Sequence, residues 1–470
     1  MTNEIFEHNN AETPKAQQQS LSEYVPSPSP QENGNDNSND NDNATETLFE
    51  EVNRMYTIRE AINEAKRCLH CKVPQCKKAC PIENNIPDFI HELSMGNMGE
   101  AMNVLHEKTN LPAICGRVCP HEKQCEGHCV LGKKGRPVRI GKLESFIAQF
   151  DSDMQLTHER IPEKTRGKVA IIGSGPAGLT VAGDLARQGF HVTIFEGQPE
   201  AGGVLMYGIP EYRLPKAVVR NEIKKIEDLG VHFVRNCLVG TPESGVTVDS
   251  LFAEGFDAIF MGTGTALPQN LSIPGSDLRR VTQSTDFLHN VNAYVEGALP
   301  MEMVPLRKGD KVAVIGGGNV AMDAARTARR LGADVTVIYR RTQAEMPAIQ
   351  SEYEDAVKEG VNFMWQTNSL EFLGNKKGRV CAIRLSTPDG ECTEPFDRVF
   401  LAIGIVSSTQ GIEVDEKGYV IVGERPMGMT TRRGVFAGGD VVHRPQTVVL
   451  AMKAAKEVAL GIAQYVDAIK

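Results

Sequence analysis

The chain has few aromatic residues, no long apolar run and almost no net charge outside its first 50 residues. The net charge is −9, and residues 1–50, with ten acidic side chains and Lys15 as the one basic one, supply all of it. Nucleic-acid binders usually carry a basic excess, so that class of function is excluded. No apolar run reaches the ~18–20 residues that span a bilayer. The N-terminus also has no basic segment followed by an apolar one, so we expect a cytoplasmic protein without a membrane partner.

Residues 1–46 contain little that could form a core. The segments VPSPSP (25–30) and QENGNDNSNDNDN (31–43) are polar and poor in apolar side chains. Such sequence buries too little surface to offset its ordering entropy. We therefore expect residues 1–46 to be a disordered tail, and we assign no function to them.

Two later segments share the layout of strand, glycine turn, helix and strand. They are KVAIIGSGPAGLTVAGDLARQGFHVTIFE (168–196) and KVAVIGGGNVAMDAARTARRLGADVTVIYRR (311–341). After 405 the chain returns to a strand, a glycine-rich turn and a helix. The pattern predicts an α/β fold with two Rossmann-like nucleotide-binding domains, one inserted in the other, after a small helical domain. The expected boundaries are 47–160 for the helical domain, 161–300 and 405–470 for the first nucleotide domain, and 301–404 for the second.

Cysteine is the residue that singles out the helical domain, since eight of the eleven cysteines lie there. Thiolates at this density are the usual ligands of iron–sulfur clusters. Zinc sites generally present two C-x2-C pairs some distance apart, and here only one such pair occurs. Disulfides are disfavoured in a cytoplasmic chain. Iron–sulfur clusters are thus the favoured interpretation, with zinc and disulfides as alternatives. The first run is Cys68, Cys71, Cys76 and Cys80, and the second is Cys115, Cys119, Cys125 and Cys129.

The first glycine turn follows an apolar strand and opens a helix, which is the context a dinucleotide site needs. Glycines permit the tight turn and a close approach of the pyrophosphate, and the helix N-terminus offers its N–H groups to the phosphates. Glu196 ends the next strand, where a carboxylate accepts hydrogen bonds from a ribose with both hydroxyls free. The site is therefore interpreted as an FAD site. Its turn residues are Gly173, Gly175, Pro176, Ala177 and Gly178.

The second glycine turn differs from the first at the position that contacts the ribose. Where the first fold has Glu196, this one has Arg340 and Arg341. A guanidinium pairs with a 2′-phosphate, so the second site is interpreted as binding NADPH. An exposed basic turn is the alternative for the arginine pair. The remaining candidate residues are Gly316, Gly318, Asn319, Val320 and Ala321.

The segments CLHCKVPQCKKACP, PAICGRVCPHEKQCEGHC and IGKLE resemble a cluster domain shared by three enzyme groups. These are the small subunit of NADPH-dependent glutamate synthase, the large subunit of NADH-dependent ferredoxin:NADP oxidoreductase (sulfide dehydrogenase type), and dihydropyrimidine dehydrogenase. The resemblance implies two [4Fe–4S] clusters. It assigns Cys68, Cys71, Cys76 and Cys129 to the first, and Cys80, Cys119, Cys125 and Glu144 to the second. Cys115 is then spare, and a solvated helix glutamate is the alternative for Glu144.

The duplicated nucleotide folds resemble the pyridine nucleotide–disulfide oxidoreductases. AGGVLMYGIPEYRLPK (201–216) is similar to the family's flavin-proximal loop, and FMGTGT (260–265) and FLAIG (400–404) to its interdomain crossings. GVFAGGDV (435–442) is similar to its second FAD motif, which a helix follows. The family's disulfide reductases carry a C-x2-C pair beside the flavin. Cys237, Cys381 and Cys392 are isolated, so thioredoxin reductase activity is not expected. The resemblance adds Gly203, Leu205, Arg213, Gly439, Asp440, Thr447 and Val448 to the FAD site.

The sequence thus predicts an NADPH oxidoreductase in which hydride passes to FAD and single electrons pass through two clusters. No side-chain acid or base is needed, and no catalytic residue is assigned. The resemblance implies an oligomer in which this chain is the electron-input subunit of glutamate synthase, beside a larger partner subunit. The alternative is the large subunit of a ferredoxin-linked, electron-bifurcating transhydrogenase or sulfide dehydrogenase. A structural scaffold that only retains nucleotide folds is a third, non-enzymatic alternative.

Overall fold

The computed structural model describes residues 48–241, 243–265, 267–268, 271–403, 405–406, 412–443 and 447–470. The expected tail, 1–46, lies outside the described residues. The chain forms two compact units. We call residues 54–108 and 121–158 the cysteine unit, and residues 48–53, 109–120 and 159–470 the nucleotide unit. Within the described ranges, no helix combines the length and the apolar character that crossing a bilayer would require.

Residues 58–154 form helices and 3₁₀ turns, as the sequence predicts. A capping box between Thr57 and Glu60 starts the first helix, and the left-handed Gly96 ends the third. The helices are α1 (Ile58–Ala65), α2 (Gln75–Ala79), α3 (Ile86–Met95), α4 (Met98–His106), α5 (Pro112–Val118) and α6 (Ile140–Met154), with 3₁₀ turns at His121–Lys123, Glu126–His128 and Val130–Lys133.

Within the helical domain expected at 47–160, α5 packs with the nucleotide unit. The physical reason is a set of polar contacts that the segment makes there. The Ala113 N–H donates to Glu222 Oε2 at 3.2 Å, and Asn110 Nδ2 donates to Asp184 Oδ1 at 2.8 Å. Local sequence pattern shows the helix but not these partners.

The first nucleotide fold opens with strands whose apolar residues are buried on both faces, as parallel sheets require. Its elements are β1 (Gly167–Ile172), α7 (Pro176–Arg187), β2 (Phe190–Phe195), α8 (Val204–Tyr207), α9 (Lys216–Asp228), β3 (His232–Val234), α10 (Val248–Ala253) and β4 (Ala258–Met261). Strand β1 pairs in parallel with both β2 and β4.

The second nucleotide fold follows the first crossing of the chain. Its elements, together with the crossing strand, are β5 (Leu267–Pro268), β6 (Val281–Gln283), α11 (Ser284–Val295), β7 (Lys311–Ile315), α12 (Asn319–Arg330), β8 (Asp334–Ile338), α13 (Gln350–Lys358), β9 (Asn362–Met364), β10 (Asn368–Gly374), β11 (Val380–Thr387), β12 (Gly390–Pro395) and β13 (Arg398–Leu401), with 3₁₀ turns at Met301–Met303 and Gln343–Glu345. A five-stranded parallel sheet has the order β6-β13-β7-β8-β9, and an antiparallel β10-β11-β12 sheet is inserted after β9. The parallel sheet includes β6, which pairs with β13 and precedes residue 301, where the domain was expected to begin.

The chain then returns to the first sheet, which confirms the predicted insertion. Strand β14 (Ile405–Val406) pairs with β5, so the two crossings form one antiparallel ribbon. The elements after this ribbon are β15 (Val422–Glu424), β16 (Met427–Thr430), β17 (Val435–Ala437), a 3₁₀ turn at Gly439–Val441 and α14 (Val448–Ile469). Strand β17 lies beside β4, and the first sheet has the order β15-β16-β17-β4-β1-β2-β3.

Candidate cofactor sites

The first glycine turn is shaped by close backbone contacts. A side chain on Gly178 would lie 2.0 Å from the Gly173 carbonyl oxygen, so only glycine lets α7 start this near β1. Gly175 is the N-cap of α7, and Pro176 is its first residue. A side chain on Gly175 would meet no atom within 4 Å. The turn therefore combines a packed inner side with an open backbone and a helix N-terminus, which suits a pyrophosphate.

Glu196 is held at this turn, as its position after β2 predicts. The carboxylate is 7 % exposed, and its Oε2 accepts hydrogen bonds from Ser174 N at 3.0 Å and Ser174 Oγ at 2.5 Å. Its Oε1 accepts from Gln198 N at 2.8 Å. These bonds fix the carboxylate beside the turn. The geometry fits the role predicted for it, that of accepting hydrogen bonds from the ribose.

The predicted flavin-proximal loop also reaches the turn. The Gly202 N–H donates to Ser174 Oγ at 2.8 Å, and a side chain on Gly203 would lie 3.0 Å from the Gly175 Cα. The second motif approaches from the other end of the chain, where a side chain on Gly439 would lie 2.8 Å from the Ala177 Cβ. Three other segments, at Glu196, at Gly202–Gly203 and at Gly439, thus converge on Gly173–Gly178, which is what an extended dinucleotide requires.

A cavity of about 290 Å³ lies beside the second motif. Gly439 and Asp440 line it together with the first turns of α14. Thr447 is the N-cap of that helix, and its hydroxyl accepts a hydrogen bond from Leu450 N. Residues 444–446, between the motif and the helix, lie outside the described residues. The arrangement places Thr447 and Val448 at a helix N-terminus, as the FAD interpretation needs.

Arg213 has a different position from the one expected of an FAD-binding residue. Its guanidinium is 8 % exposed and pairs with Asp323 at 2.7 Å and with Glu352 at 2.9 Å. Both carboxylates belong to the second nucleotide fold. Arg213 therefore joins the flavin-proximal loop to that fold, because its donors are directed at buried carboxylates.

Sequence reasoning missed Lys216, which supports the same loop. Its ammonium is fully buried and donates to the carbonyl oxygens of Leu205, Ile209 and Leu214, at 3.1, 2.5 and 3.2 Å. Burial lowers the pKa of Lys216 to about 8, and Glu211 and Glu296 oppose that shift. A lysine at the start of an amphipathic helix usually faces solvent, so the sequence carries no signal for this role.

The second glycine turn has the same plan. Gly318 is the N-cap of α12, and a side chain on Gly316 would lie 2.4 Å from the Ala402 carbonyl oxygen. Asn319 Oδ1 accepts a hydrogen bond from Ile349 N at 2.9 Å. Val320 is 39 % exposed, whereas Ala321 is buried. The turn is thus again packed on one side and open at the helix N-terminus.

Arg340 and Arg341 follow β8 and are exposed. Their backbone is fixed on both sides, since the Arg341 carbonyl accepts from Gln366 N at 3.0 Å and the Tyr339 carbonyl accepts from Thr367 N at 3.0 Å. The Tyr339 ring packs against Gly317, inside the glycine turn. The arginine pair is therefore held at the end of the strand next to the turn, with both guanidinium groups accessible to an anion.

In the cysteine unit, the four cysteines assigned to the first cluster line one small cavity of about 30 Å³. Burial raises the pKa of Cys76 to about 11, and Cys68, Cys129 and Cys71 contribute because of their proximity. Burial also raises the pKa of Cys68. Four thiols around one cavity are a ligand set for a cationic centre, because iron binding supplies the positive charge that thiolates need. The residues fit a cluster.

Part of the second ligand set also comes together in the cysteine unit. Cys125 is buried, and burial together with Glu126, Glu144 and Cys80 raises the pKa of its thiol. Glu144 is only 7 % exposed, so the alternative of a solvated helix glutamate is wrong. Its side chain accepts a hydrogen bond from Asn84 at 3.4 Å. Cys119 is the C-cap of α5, in the nucleotide unit.

The other cysteines behave as expected of residues outside the clusters. Cys115 is buried in α5, with its sulfur 3.6 Å from that of Met452. Cys237 is buried, Cys381 is exposed and Cys392 is half-buried. All eleven cysteines lie in the described part of the chain, and no disulfide joins any two of them there.

Comparison with known proteins supports both the iron–sulfur and the nucleotide-binding interpretation. Residues 45–156 match the family described as dihydropyrimidine dehydrogenase domain II, 4Fe-4S cluster, and residues 167–455 match the pyridine nucleotide-disulphide oxidoreductases. The glutamate synthase [NADPH] small chain of Halomonas elongata is 36% identical over 446 residues, which cover 89% of this chain and 93% of that protein.

Two further comparisons are with a relative from another enzyme and with a solved structure. The NADP(+)-dependent formate dehydrogenase subunit beta of Moorella thermoacetica is 36% identical over 435 residues, which cover 83% of this chain and 59% of that protein. The structure of Mycobacterium tuberculosis FprA in complex with NADPH superimposes with a TM-score of 0.54 at 18% identity, over 64% of this chain and 84% of that one. The superposition shows the shared fold of the two nucleotide domains.

Proposed function

Because the chain belongs to the pyridine nucleotide-disulphide oxidoreductases, in the group of the glutamate synthase small chains, we propose that it is the electron-input subunit of a glutamate synthase. It is an NADPH-dependent flavin and iron–sulfur oxidoreductase. In the proposed function its electrons reach a larger subunit that makes glutamate from glutamine and 2-oxoglutarate. The supporting observation is the match over nearly the full length of the Halomonas small chain, together with the four-cysteine cavity.

In the proposed function the candidate residues form two nucleotide sites and two cluster sites. Gly175 and the N-terminus of α7 would hold the FAD pyrophosphate, with Glu196 at its ribose. Gly318 and the N-terminus of α12 would hold NADPH, with Arg340 and Arg341 on the 2′-phosphate. Cys68, Cys71, Cys76 and Cys129 would bind one cluster, and Cys80, Cys119, Cys125 and Glu144 the other. Since nicotinamide donates a hydride and a cluster carries one electron, the bound flavin supplies the conversion between them.

The protein's own part in the reaction is positioning. Arg213 ties the flavin-proximal loop to α12, which begins at the NADPH turn. Lys216 fixes the same loop through three carbonyl groups. Both side chains are buried, so neither contacts bulk water. Arg213 thus links the loop to the second nucleotide fold, and Lys216 keeps the loop itself in place. Hydride transfer depends on such positioning because the reacting atoms must approach closely.

A second candidate differs only in the partner. The similarity to a formate dehydrogenase subunit beta favours an NADP-linked assembly in which another subunit oxidises or reduces a different substrate. Both candidates share the NADPH, flavin and cluster chemistry. The sequence-based alternative of a ferredoxin-linked transhydrogenase also differs only at this end of the electron path.

The deciding experiment is to isolate the native protein without oxygen and to identify the subunit that co-purifies. A large subunit that converts glutamine and 2-oxoglutarate to glutamate with NADPH would support the proposal. A subunit active on formate, or a small flavoprotein with its own cluster, would overturn the glutamate synthase assignment. Stopped-flow bleaching of the flavin by NADPH tests the first half of the reaction independently of the partner.

A further inference from the structure

The two segments that carry the first cluster's cysteines are strongly basic, although the chain as a whole is acidic. Residues 66–78 contain five lysines and arginines and no acidic residue, and residues 128–136 contain three and none. Outside residues 1–50 the chain carries equal numbers of acidic and basic side chains. Positive charge is therefore concentrated around one predicted electron carrier.

Part of this charge is neutralised and part is not. Arg67 and Arg136 both pair with the buried Glu64, at 2.5 and 3.0 Å. Lys77 keeps its charge, because the group that it donates to at 2.5 Å is the neutral amide of Asn85. The other five basic side chains are exposed and form no ion pair with any described residue. We call them the lysine face: Lys66, Lys72, Lys78, Lys133 and Lys134.

Two apolar side chains lie within the same segment. Leu69 is 60 % exposed and Val73 is 56 % exposed, on either side of Cys71. Leu69 also lines the cavity of the four cysteines, together with Leu131 from the second segment. Transient redox interfaces are small, and docking interfaces commonly have an apolar centre inside a charged rim. The lysine face with Leu69 and Val73 has this composition.

We propose that the lysine face is the docking surface for the acidic face of an electron-acceptor protein, placed over the cluster of Cys68, Cys71, Cys76 and Cys129. The inference rests on the proposed function and adds the chemistry of the partner. Complementary charge steers association and raises the on-rate, an effect that salt suppresses. The partner that fits carries Asp and Glu around its own redox centre and a small apolar patch beside it.

The test uses one acceptor in two charge states. Native cytochrome c is basic, and succinylation converts its lysine ammonium groups to carboxylates while the haem is retained. Each NADPH gives two electrons, so two haem Fe(III) become Fe(II) as NADP⁺ and a proton are released. With the oxygen-free holoenzyme at low salt, we expect the succinylated form to be reduced with a kcat/KM at least ~10-fold above that of the native form. Binding of the oxidised succinylated form should likewise weaken as salt rises.

The variant K66E/K72E/K78E should lose both the preference for succinylated cytochrome c and the salt dependence of its binding. NADPH should still bleach the flavin of this variant at the normal rate. A matched control, K376E/K377E/K417E, changes three exposed lysines of the nucleotide unit by the same charge and should behave as the unaltered protein. Equal rates with the two cytochromes, or an unaffected lysine-face variant, would overturn the inference. If NADPH does not bleach the flavin of the unaltered protein, the proposed function is overturned instead.

Two further controls separate an acidic protein partner from other anions. Binding of a DNA duplex as tight as that of succinylated cytochrome c would make the face a general polyanion site and reject the proposal. A preference and salt dependence that appear only after residues 1–46 are removed would assign the face to the chain's own acidic N-terminus, which would also reject it. Retention of both effects by the full chain supports an acidic protein partner.

Discussion

Arg213 donates from one guanidinium nitrogen to both carboxylate oxygens of Asp323, at 2.7 and 2.8 Å. Its Nε pairs with Glu352 at 2.9 Å, and all three side chains are largely buried. Arg213 lies in the flavin-proximal loop, whereas Asp323 lies on α12, whose N-terminus forms the NADPH turn. Tyr212 extends the junction, because the Arg330 guanidinium lies 4.1 Å above its ring. A buried ionic joint thus links the two nucleotide sites.

Asp323→Asn should weaken this joint. Burial raises the pKa of Asp323 to about 6, and Arg213 opposes that shift. Removing the charge leaves the buried Arg213 with Glu352 alone, and breaking a buried pair typically costs about 3–5 kcal/mol. We expect a lower thermal unfolding midpoint and slower flavin reduction by NADPH, measured by calorimetry and stopped flow. Glu391→Gln removes a partner of the exposed Arg384 and should change neither quantity. An unaltered midpoint in the Asp323 variant would show that the joint does not stabilise the unit.

This joint also shows where prediction from sequence ends. The positions of the glycine turns, Glu196 and the arginine pair were predictable because they follow from a strand, a turn and a helix within about 30 residues. Their roles toward the nucleotides stay predictions. Arg213 and Asp323 are 110 positions apart, and no local pattern connects them. The role of Lys216 and the packing of α5 on the nucleotide unit were not predicted for the same reason, since burial and distant partners determine them. Glu144 was found through a family resemblance and not through periodicity.

Lys216 predicts an effect of pH on stability. Burial lowers its pKa from the usual 10.5 to about 8, so between pH 8 and 10.5 the unfolded chain binds a proton that the folded protein has released. The contribution of Lys216 to the free energy of unfolding therefore increases as pH rises through that window. The titratable groups that face it are Glu211, Glu296, Asp323 and Arg220.

The measurement compares the unaltered protein with Lys216→Met by urea unfolding at pH 7.5 and 9.5. The stability difference in favour of the unaltered protein should grow with pH by on the order of 1–3 kcal/mol. Lys224→Met removes a lysine that forms an exposed pair with Asp228 and should show no pH-dependent difference. A difference that stays constant with pH would mean that Lys216 keeps its proton throughout.

Replacement of Arg340 and Arg341 by alanine tests the assignment of the NADPH site. Charge-assisted hydrogen bonds to a phosphate contribute about 1.5–3 kcal/mol each. The double variant should therefore lose at least roughly 100-fold in kcat/KM for NADPH and change less than about threefold for NADH. K376A/K377A alters two exposed lysines of the same fold and should leave the ratio unchanged. Equal losses for both nucleotides would show that the 2′-phosphate binds elsewhere.

Glu144→Ala tests the least usual ligand in the second set. The carboxylate is buried beside Cys125, whose thiol is surrounded by Glu126, Glu144 and Cys80. A carboxylate is a harder ligand than a thiolate, so its loss should alter or remove one cluster and spare the other. Iron analysis should fall from about eight towards about four atoms per chain, or one of two EPR signals should change. Cys115→Ala, which removes the thiol packed on Met452, should retain full iron. Unaltered iron content together with unaltered EPR spectra would remove Glu144 from the ligand set and leave it as a buried partner of Asn84.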